Sequence, residues 1–581
     1  MLAALWAATL AIAACGGPVP SSPSRVPGES GRASAAPSAA RFVPMVYPAA
    51  ADAPCGETKA ADASHAPYTG SIRRIRAIDA LTVAFDLCEP DVAFRSKIAS
   101  PSLAINDTAW LASHIDPSGS GHQAIVTQVN GTGPYSLETW TQGTDMTLAR
   151  NDAYWGPPAR AGQLIVTWRA GADERLAQLR DGRVDGIDDL APADVATVSA
   201  DPTLQLQDRA GMNVFYMGFN DTYAPFDNAK VRAAIAMGID RQRIVDTFYP
   251  PGSEVASHFT PCAVPHGCAG DAWYAFDPAA ARQLLTDAGF PNGFDTTIQY
   301  RELARPYLPD PSGVARELQA ELLANLGIRA ELQVLPDDTY LADADAGELD
   351  GIHLLGQGMT YPDVTDFLDP RFGAGASSEF GRIFDDIAKA LATGDSTADE
   401  AKREAAYTKA NDLIRAHVPM IPIARAGSAT AFRANVTGAA ASPLRTESLA
   451  SMTPGDRTRM VWLTASEPPG LYCADETDPT AQLVCSQITE GLYAYTPGGA
   501  APVPALAEGC TPNPELTVWT CSLRPGVSFG DGAELDANDV VESFAVQWAA
   551  DHPLHRGREG TFTPFTDRFG GFLDAPATPG G

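Results

Sequence analysis

Alternation of apolar and polar positions begins near residue 72. Ile72, Ile75 and Ile78 precede Leu81-Val83-Phe85-Leu87, whose strict period of two predicts a half-buried strand. QLIVTWR (163–169) alternates in the same way, and MNVFYMGFN (212–220) reads as another strand. Between them ERLAQLRDGRVDGIDDL (174–190) reads as a helix followed by a strand. Val231, Ala234 and Ile235 share one helical face, with Asp227 or Asn228 as N-cap, and Asp240 caps the next helix. Asp277-Pro278 starts a helix that Gly289 ends, the usual asymmetry of proline at the start and glycine past the end. From Ser312 a stripe of Val314, Leu318, Leu322 and Leu326 predicts a helix stopping at Gly327. Ile328, Ala330, Leu332 and Val334 then alternate as a strand. Helices interleaved with strands indicate an α/β protein.

Composition adds the setting. The chain has 581 residues, 45% of them hydrophobic, enough for a large core, and a formal charge of -30. That field repels phosphate backbones and anionic membrane surfaces, which argues against a nucleic-acid partner. LAALWAATLAIAA (2–14) is too short to span a bilayer as a helix and ends at Cys15. It looks like a bacterial lipoprotein signal with Cys15 as lipidation site; an ordinary secretory signal is the alternative. Residues 16–40, rich in Pro, Ser, Gly and Ala, read as a flexible tether. Eight cysteines remain, an even number in an exported chain, which favours disulfides over metal. Short separations suggest Cys262 with Cys268, Cys473 with Cys485 and Cys510 with Cys521, leaving Cys55 and Cys88. No CxxC pair supports zinc.

Catalytic signatures are missing from the sequence. There is no GxSxG, HExxH, Ser-x-x-Lys or GxxxxGK[ST] run, and the histidines are scattered. No cofactor is implied.

Several longer runs carry a resemblance. They are GTGPYSLETWTQGTDMTLARNDAYW (131–155), APFDNAKVRAAIAMGIDRQRIV (224–245), GMTYPDVTDFL (358–368) and, near the end, EGLYAYTPGG with PALAE and LRPGVSFGDGAELDANDVVESF after it (490–544). Together they resemble the extracytoplasmic solute-binding proteins of ABC importers, family 5, the oligopeptide, dipeptide and nickel-binding type. In that family the last of these runs comes first. The resemblance therefore implies a two-lobed α/β periplasmic-binding-protein type II fold of the large class, with an extra subdomain in the amino lobe, circularly permuted. A fragment of a tandem array is the alternative. The implied boundaries are 1–15 signal, 16–40 tether, 41–128 second part of the extra subdomain, 129–225 amino lobe, 226–430 carboxy lobe, 431–500 amino lobe carrying the joined old termini, and 501–581 first part of the extra subdomain.

The same resemblance carries the functional expectation. It implies a monomeric lipoprotein, in the periplasm or on the cell surface, that captures a peptide-like or other small or oligomeric solute between its lobes and delivers it to an ABC permease, touching the membrane only through a lipid anchor. A sensor or surface protein on the same scaffold is the alternative, and a secreted enzyme the third reading. Peptide-binding members carry an acidic residue where this chain has Thr360, beside Met359 and Tyr361. Threonine cannot neutralise a buried ammonium, so a free-amino peptide is disfavoured unless Asp363 or Asp366 takes over. Asp363 is weighed also as a loop-holding residue and Tyr361 as core. Tyr472, Glu476 and Asp478 fall on a segment that reaches the family's cleft, and Tyr300 and Arg301 come just after a strand of the carboxy lobe. Arg232 reads as a structural ion-pair partner.

Overall fold

The structure is a computed structural model that describes residues 42–56, 65–118 and 124–577. Cys15, the leader and the tether lie outside these residues. Three large sheets organise the rest.

A six-stranded sheet is centred on Asn213–Phe219, which pairs antiparallel with Ile352–Gly358 on one side and Met420–Arg425 on the other. Asp295–Tyr300 and Arg329–Val334 extend it in parallel. Helices cover it, and one contiguous core runs from Val214 to Ala424 through Phe219, Ile235, Leu318 and Tyr340. A seven-stranded sheet forms the second lobe. Its central strand Arg459–Thr464 lies parallel to Gln163–Trp168 over six residues and also to Gly186–Ile187. Beside this lobe stands a five-stranded antiparallel sheet in the order Val46–Tyr47, Ile72–Asp79, Thr82–Leu87, Val518–Leu523 and Ala507–Pro512. Helix Ala537–Trp548 packs on it, the Phe544 ring 5.0 Å from that of Phe85. Residues from the two ends of the described chain thus share one sheet. Near the chain ends His65 bridges to Pro576, and Ala66 N donates to Ala575 O at 2.8 Å.

Local signals explain most elements. Asn228 accepts from Lys230 N and Asp240 from Arg243 N, each capping the helix after it. Pro278 opens helix Pro278–Asp287, and Gly289 lies just past it at φ +97°. The next helix starts at Pro311 with Asp310 as its cap, slightly before the expected Ser312, because Asp310 accepts from Gly313 N. Val334 departs from the expected alternation: it is 54% exposed, since its strand is a sheet edge. Leu81 lies in the turn before Thr82–Leu87 and is likewise open to solvent. Arg232 is buried as a structural residue, but it donates to the carbonyls of Val418, His417 and Phe226 rather than to a carboxylate. The eight cysteines close as Cys55–Cys88, Cys262–Cys268, Cys473–Cys485 and Cys510–Cys521. The last pair ties directly opposed residues of neighbouring strands.

One buried charge network joins the seven-stranded sheet to the loop after it. Arg209 Nη2 lies 2.7 Å from Asp188 and 2.5 Å from Glu447, with the arginine and glutamate side chains almost fully enclosed. Removing the cation would leave two buried carboxylates facing each other, a loss of about 3–5 kcal/mol for a broken buried pair. Arg209→Leu is therefore expected to lower stability by about that amount in chemical denaturation. A loss below about 1 kcal/mol would mean that water already reaches the pair.

Candidate functional site

A cavity of about 250 Å³ opens between the lobes. The carboxy lobe contributes Met359 and Thr360, directly after strand Ile352–Gly358; Met359 N donates to Met212 O at 3.1 Å. Asp366 holds this loop. Its carboxylate accepts from Thr360 N at 2.8 Å and Tyr361 N at 3.4 Å. Burial raises its pKa from the ordinary 3.8 to about 6, against the pull of those two N–H groups. Asp363 faces away from the cavity. It caps helix Val364–Phe372 through Thr365 and binds Arg403 Nη2 at 2.9 Å through both oxygens.

The opposite wall comes from distant stretches of sequence. Ser100 and Ser102 belong to the short helix Pro101–Leu103 and its cap, Glu476 and Thr477 precede helix Pro479–Ile488, and Arg568 sits on helix Thr563–Phe569. Two buried carboxylates hold the last of these stretches in place. Asp475 accepts from four successive backbone N–H groups, those of Glu559, Gly560, Thr561 and Phe562, at 2.7 to 3.1 Å. Glu476 meets Arg558 in a bidentate pair at 2.8 Å. Burial raises the Glu476 pKa while Arg558 opposes the shift.

A second, larger cavity of about 500 Å³ adjoins the first; Pro101, Thr446 and Tyr495 line both. Rings form part of its walls, with Tyr154, Trp155, Pro157, Pro158 and Tyr493 among them. Buried Glu490 orders the rings by accepting from Tyr154 Oη at 2.7 Å, Trp155 Nε1 at 2.8 Å and Thr132 Oγ1 at 2.9 Å. The Arg524 guanidinium lies 4.6 Å from the Trp155 ring centroid. Nearby GTGPY is held by close approach: a Cβ on Gly133 would come 2.6 Å from the Ile488 carbonyl carbon. Its glycines are needed for space and not for a left-handed backbone, which neither Gly131 nor Gly133 adopts.

Of the residues singled out from sequence, Met359, Thr360 and Glu476 come together on the interlobe cavity. The others stand outside both cavities. Tyr361 lies under Lys97, Nζ 4.8 Å from its ring centroid. Asp478 caps helix Pro479–Ile488 through Ala481 N, and Tyr472 is buried against Phe562. Tyr300 is buried at its strand end, while Arg301 binds Asp337 at 2.5 Å and the Tyr307 hydroxyl at 3.0 Å. Ser102, Gln482, Tyr495 and Arg568 escaped sequence reasoning, Arg568 because it lies beyond the runs that carry the resemblance.

The architecture has relatives. The family model described as "Bacterial extracellular solute-binding proteins, family 5 Middle" matches residues 47–379 and 501–562. The chain belongs to this family. Its members bind solutes for transport and are not enzymes. Di/tripeptide-binding protein 1 of Pseudomonas aeruginosa is 30% identical over 362 residues, 61% of this chain and 66% of that relative. Heme-binding protein A of Haemophilus influenzae is 26% identical over 377 residues, 64% of this chain and 68% of the relative. The solved structure of HbpA2 from Haemophilus parasuis shares 26% identity and a TM-score of 0.60, covering 66% of this chain and 75% of that one. Among the described residues no helix is long and apolar enough to cross a membrane.

Asp366 gives the cleft loop a pH signature. Below the ordinary 3.8 the carboxyl is protonated whether folded or unfolded, and burial carries no charge penalty. As pH rises from there to about 6, the unfolded chain ionises while the folded state keeps its proton, so stability falls; above about 6 the full penalty stands. Asp366→Asn is expected to stabilise the protein by roughly 3 kcal/mol at pH 7.5 and by almost nothing at pH 3.5, read from denaturation at each pH. Equal effects at the two pH values would contradict this origin.

Proposed function

We propose that the protein captures a peptide-like or other small or oligomeric solute between its lobes and hands it, as a monomer tethered through a lipid on Cys15, to an ABC permease. The observation that carries this reading is the interlobe cavity, with Met359 and Thr360 on one lobe facing Ser102, Glu476 and Arg568 on the other. Closing two lobes over a solute removes it from water and changes the surface offered to a permease, so binding and signalling use one motion. Relatives named for di- and tripeptides and for heme support a solute of that size range. Thr360 argues against a free amino group beside it, because Asp366 is already engaged by two backbone N–H groups.

A thermal-shift screen over peptides, oligosaccharides and metal chelates tests the reading. A ligand at one hundred times its dissociation constant adds about 2.7 kcal/mol of stability. Thr360→Trp, which fills the cavity, should abolish the shift while leaving the unliganded melting temperature within a few degrees. A shift that survives this substitution would place the solute elsewhere.

The segment order supports a circular permutation of the family fold. Residues 501–562 match the family model apart from 47–379, yet Val518–Leu523 pairs with Thr82–Leu87. Old termini would be joined in the exposed turn near Gly455, where Thr437 bridges to Thr453. A rearranged chain beginning at residue 455, with residue 577 linked to residue 42 by about 15 Gly/Ser residues reaching roughly 20 Å, is expected to fold and bind as before. Failure of that chain to unfold cooperatively would count against the permutation.

A further inference from the structure

Arg568 stands apart from the other enclosed arginines. Its Nη1 donates to Pro564 O at 2.7 Å, Nε meets no acceptor, and no carboxylate of the described residues lies within 4.0 Å. Other arginines with an unmet Nε are held through their remaining nitrogens: Arg209 by Asp188 and Glu447, Arg403 by Asp363, Arg425 by the His258 and Thr260 carbonyls. Around the interlobe cavity the charges are otherwise settled. Glu476 is matched by Arg558, and Asp366 lies behind Thr360 with its oxygens on backbone N–H groups. Asp567 is exposed at the rim. Met359, Thr360, Ser100, Ser102 and Gln482 are neutral.

This half-buried guanidinium has one backbone acceptor and no carboxylate partner, and its planar fork suits a carboxylate. Among the described residues lining the interlobe cavity, Arg568 is the one cation, and with Asp366 and Asp567 nearby it favours a monoanion over a phosphate dianion. The adjoining cavity adds the other half. It is twice as large, its rings and prolines offer apolar surface, and its buried carboxylate, Glu490, is engaged by three donors. Arg160 at its edge is exposed. Pro101, Thr446 and Tyr495 line both cavities, so the two adjoin, and an extended molecule reaching both would pass Tyr495.

We infer that the solute is an amphipathic monocarboxylate: its carboxylate pairs with Arg568 between the lobes, and its apolar, ring-bearing body runs past Tyr495 into the Tyr154–Trp155 cavity. This rests on the interlobe cavity being the solute site.

The test uses calorimetric titration of the full chain with N-acetyl-Leu-Phe, its C-terminal amide and the free-amino dipeptide Leu-Phe. The acetylated acid is expected to bind at least tenfold more tightly than the amide, and no less tightly than the free-amino acid. Arg568→Gln should erase the acid-over-amide preference, and Arg568→Lys should keep part of it; an unliganded melting temperature no lower than that of the parent shows that both variants fold. Tyr154→Ala should weaken the acetylated acid while the acid-over-amide ratio persists. Equal binding of acid and amide, a preference that survives Arg568→Gln, or no binding of either acid overturns the inference. The underlying site reading fails separately, through binding that persists in Thr360→Trp.

Discussion

The amino lobe depends on one strand that arrives late in the chain. Arg459–Thr464 lies in the middle of the seven-stranded sheet, parallel to Gln163–Trp168 on one side and to Gly186–Ile187 on the other. Without it the antiparallel group from Tyr135 to Trp168 would have no hydrogen-bonded connection to the strands that flank Ser428–Arg433. The strand is positioned by charge as well as by its ladder: Asp185, fully buried, accepts from Val461 N at 2.8 Å and from Arg433 Nε at 2.8 Å. The chain leaves this strand directly into the cleft wall. Asp475 and Glu476, a dozen residues on, fasten the segment carrying Arg558 and Arg568, so the sheet centre and the cavity are linked by a short stretch of chain.

Most strands were legible because one face is wet. Gln163–Trp168 buries Leu164, Val166 and Trp168 while the residues between them are partly open, the pattern that alternation detects. Val334 breaks the rule at an edge, where no neighbour covers its face, and edge position is a property of the sheet rather than of the segment. Caps were legible within a residue or two because their chemistry is local. The glycines of GTGPY illustrate the reverse: the chain that crowds them, at Ile488, is more than three hundred residues away.

The cavity was legible only where a recognisable segment ends in it. Met359 and Thr360 terminate a strand whose antiparallel register fixes their direction, and Glu476 borders a helix whose cap is Asp478. Of their neighbours, Asp363 and Asp478 turned to structural roles because backbone N–H groups, and for Asp363 also Arg403, engage them, and Tyr361 and Tyr472 because they pack against Lys97 and Phe562. Arg568 is the opposite case. Its importance lies in the lack of a carboxylate partner, which depends on every surrounding element and leaves no mark in the sequence.

Closure itself is weakly supported by the protein alone. Across the cleft, Arg95 meets Glu400 at 3.4 Å with the glutamate 59% exposed, a contact worth at most about 1 kcal/mol. Lys97 above Tyr361 adds a partly enclosed cation–π contact of roughly 1–2 kcal/mol, while Lys97 is already paired with Asp91 at 2.8 Å. These sums are comparable to the free-energy gaps that separate minor and major conformers of a flexible protein. Polar contacts this weak would not by themselves hold the lobes shut, so a solute that neutralises Arg568 only when the lobes meet would add to closure. On the proposed reading, a guanidinium with no carboxylate partner would disfavour the empty closed form, and the same charge would reward the filled one.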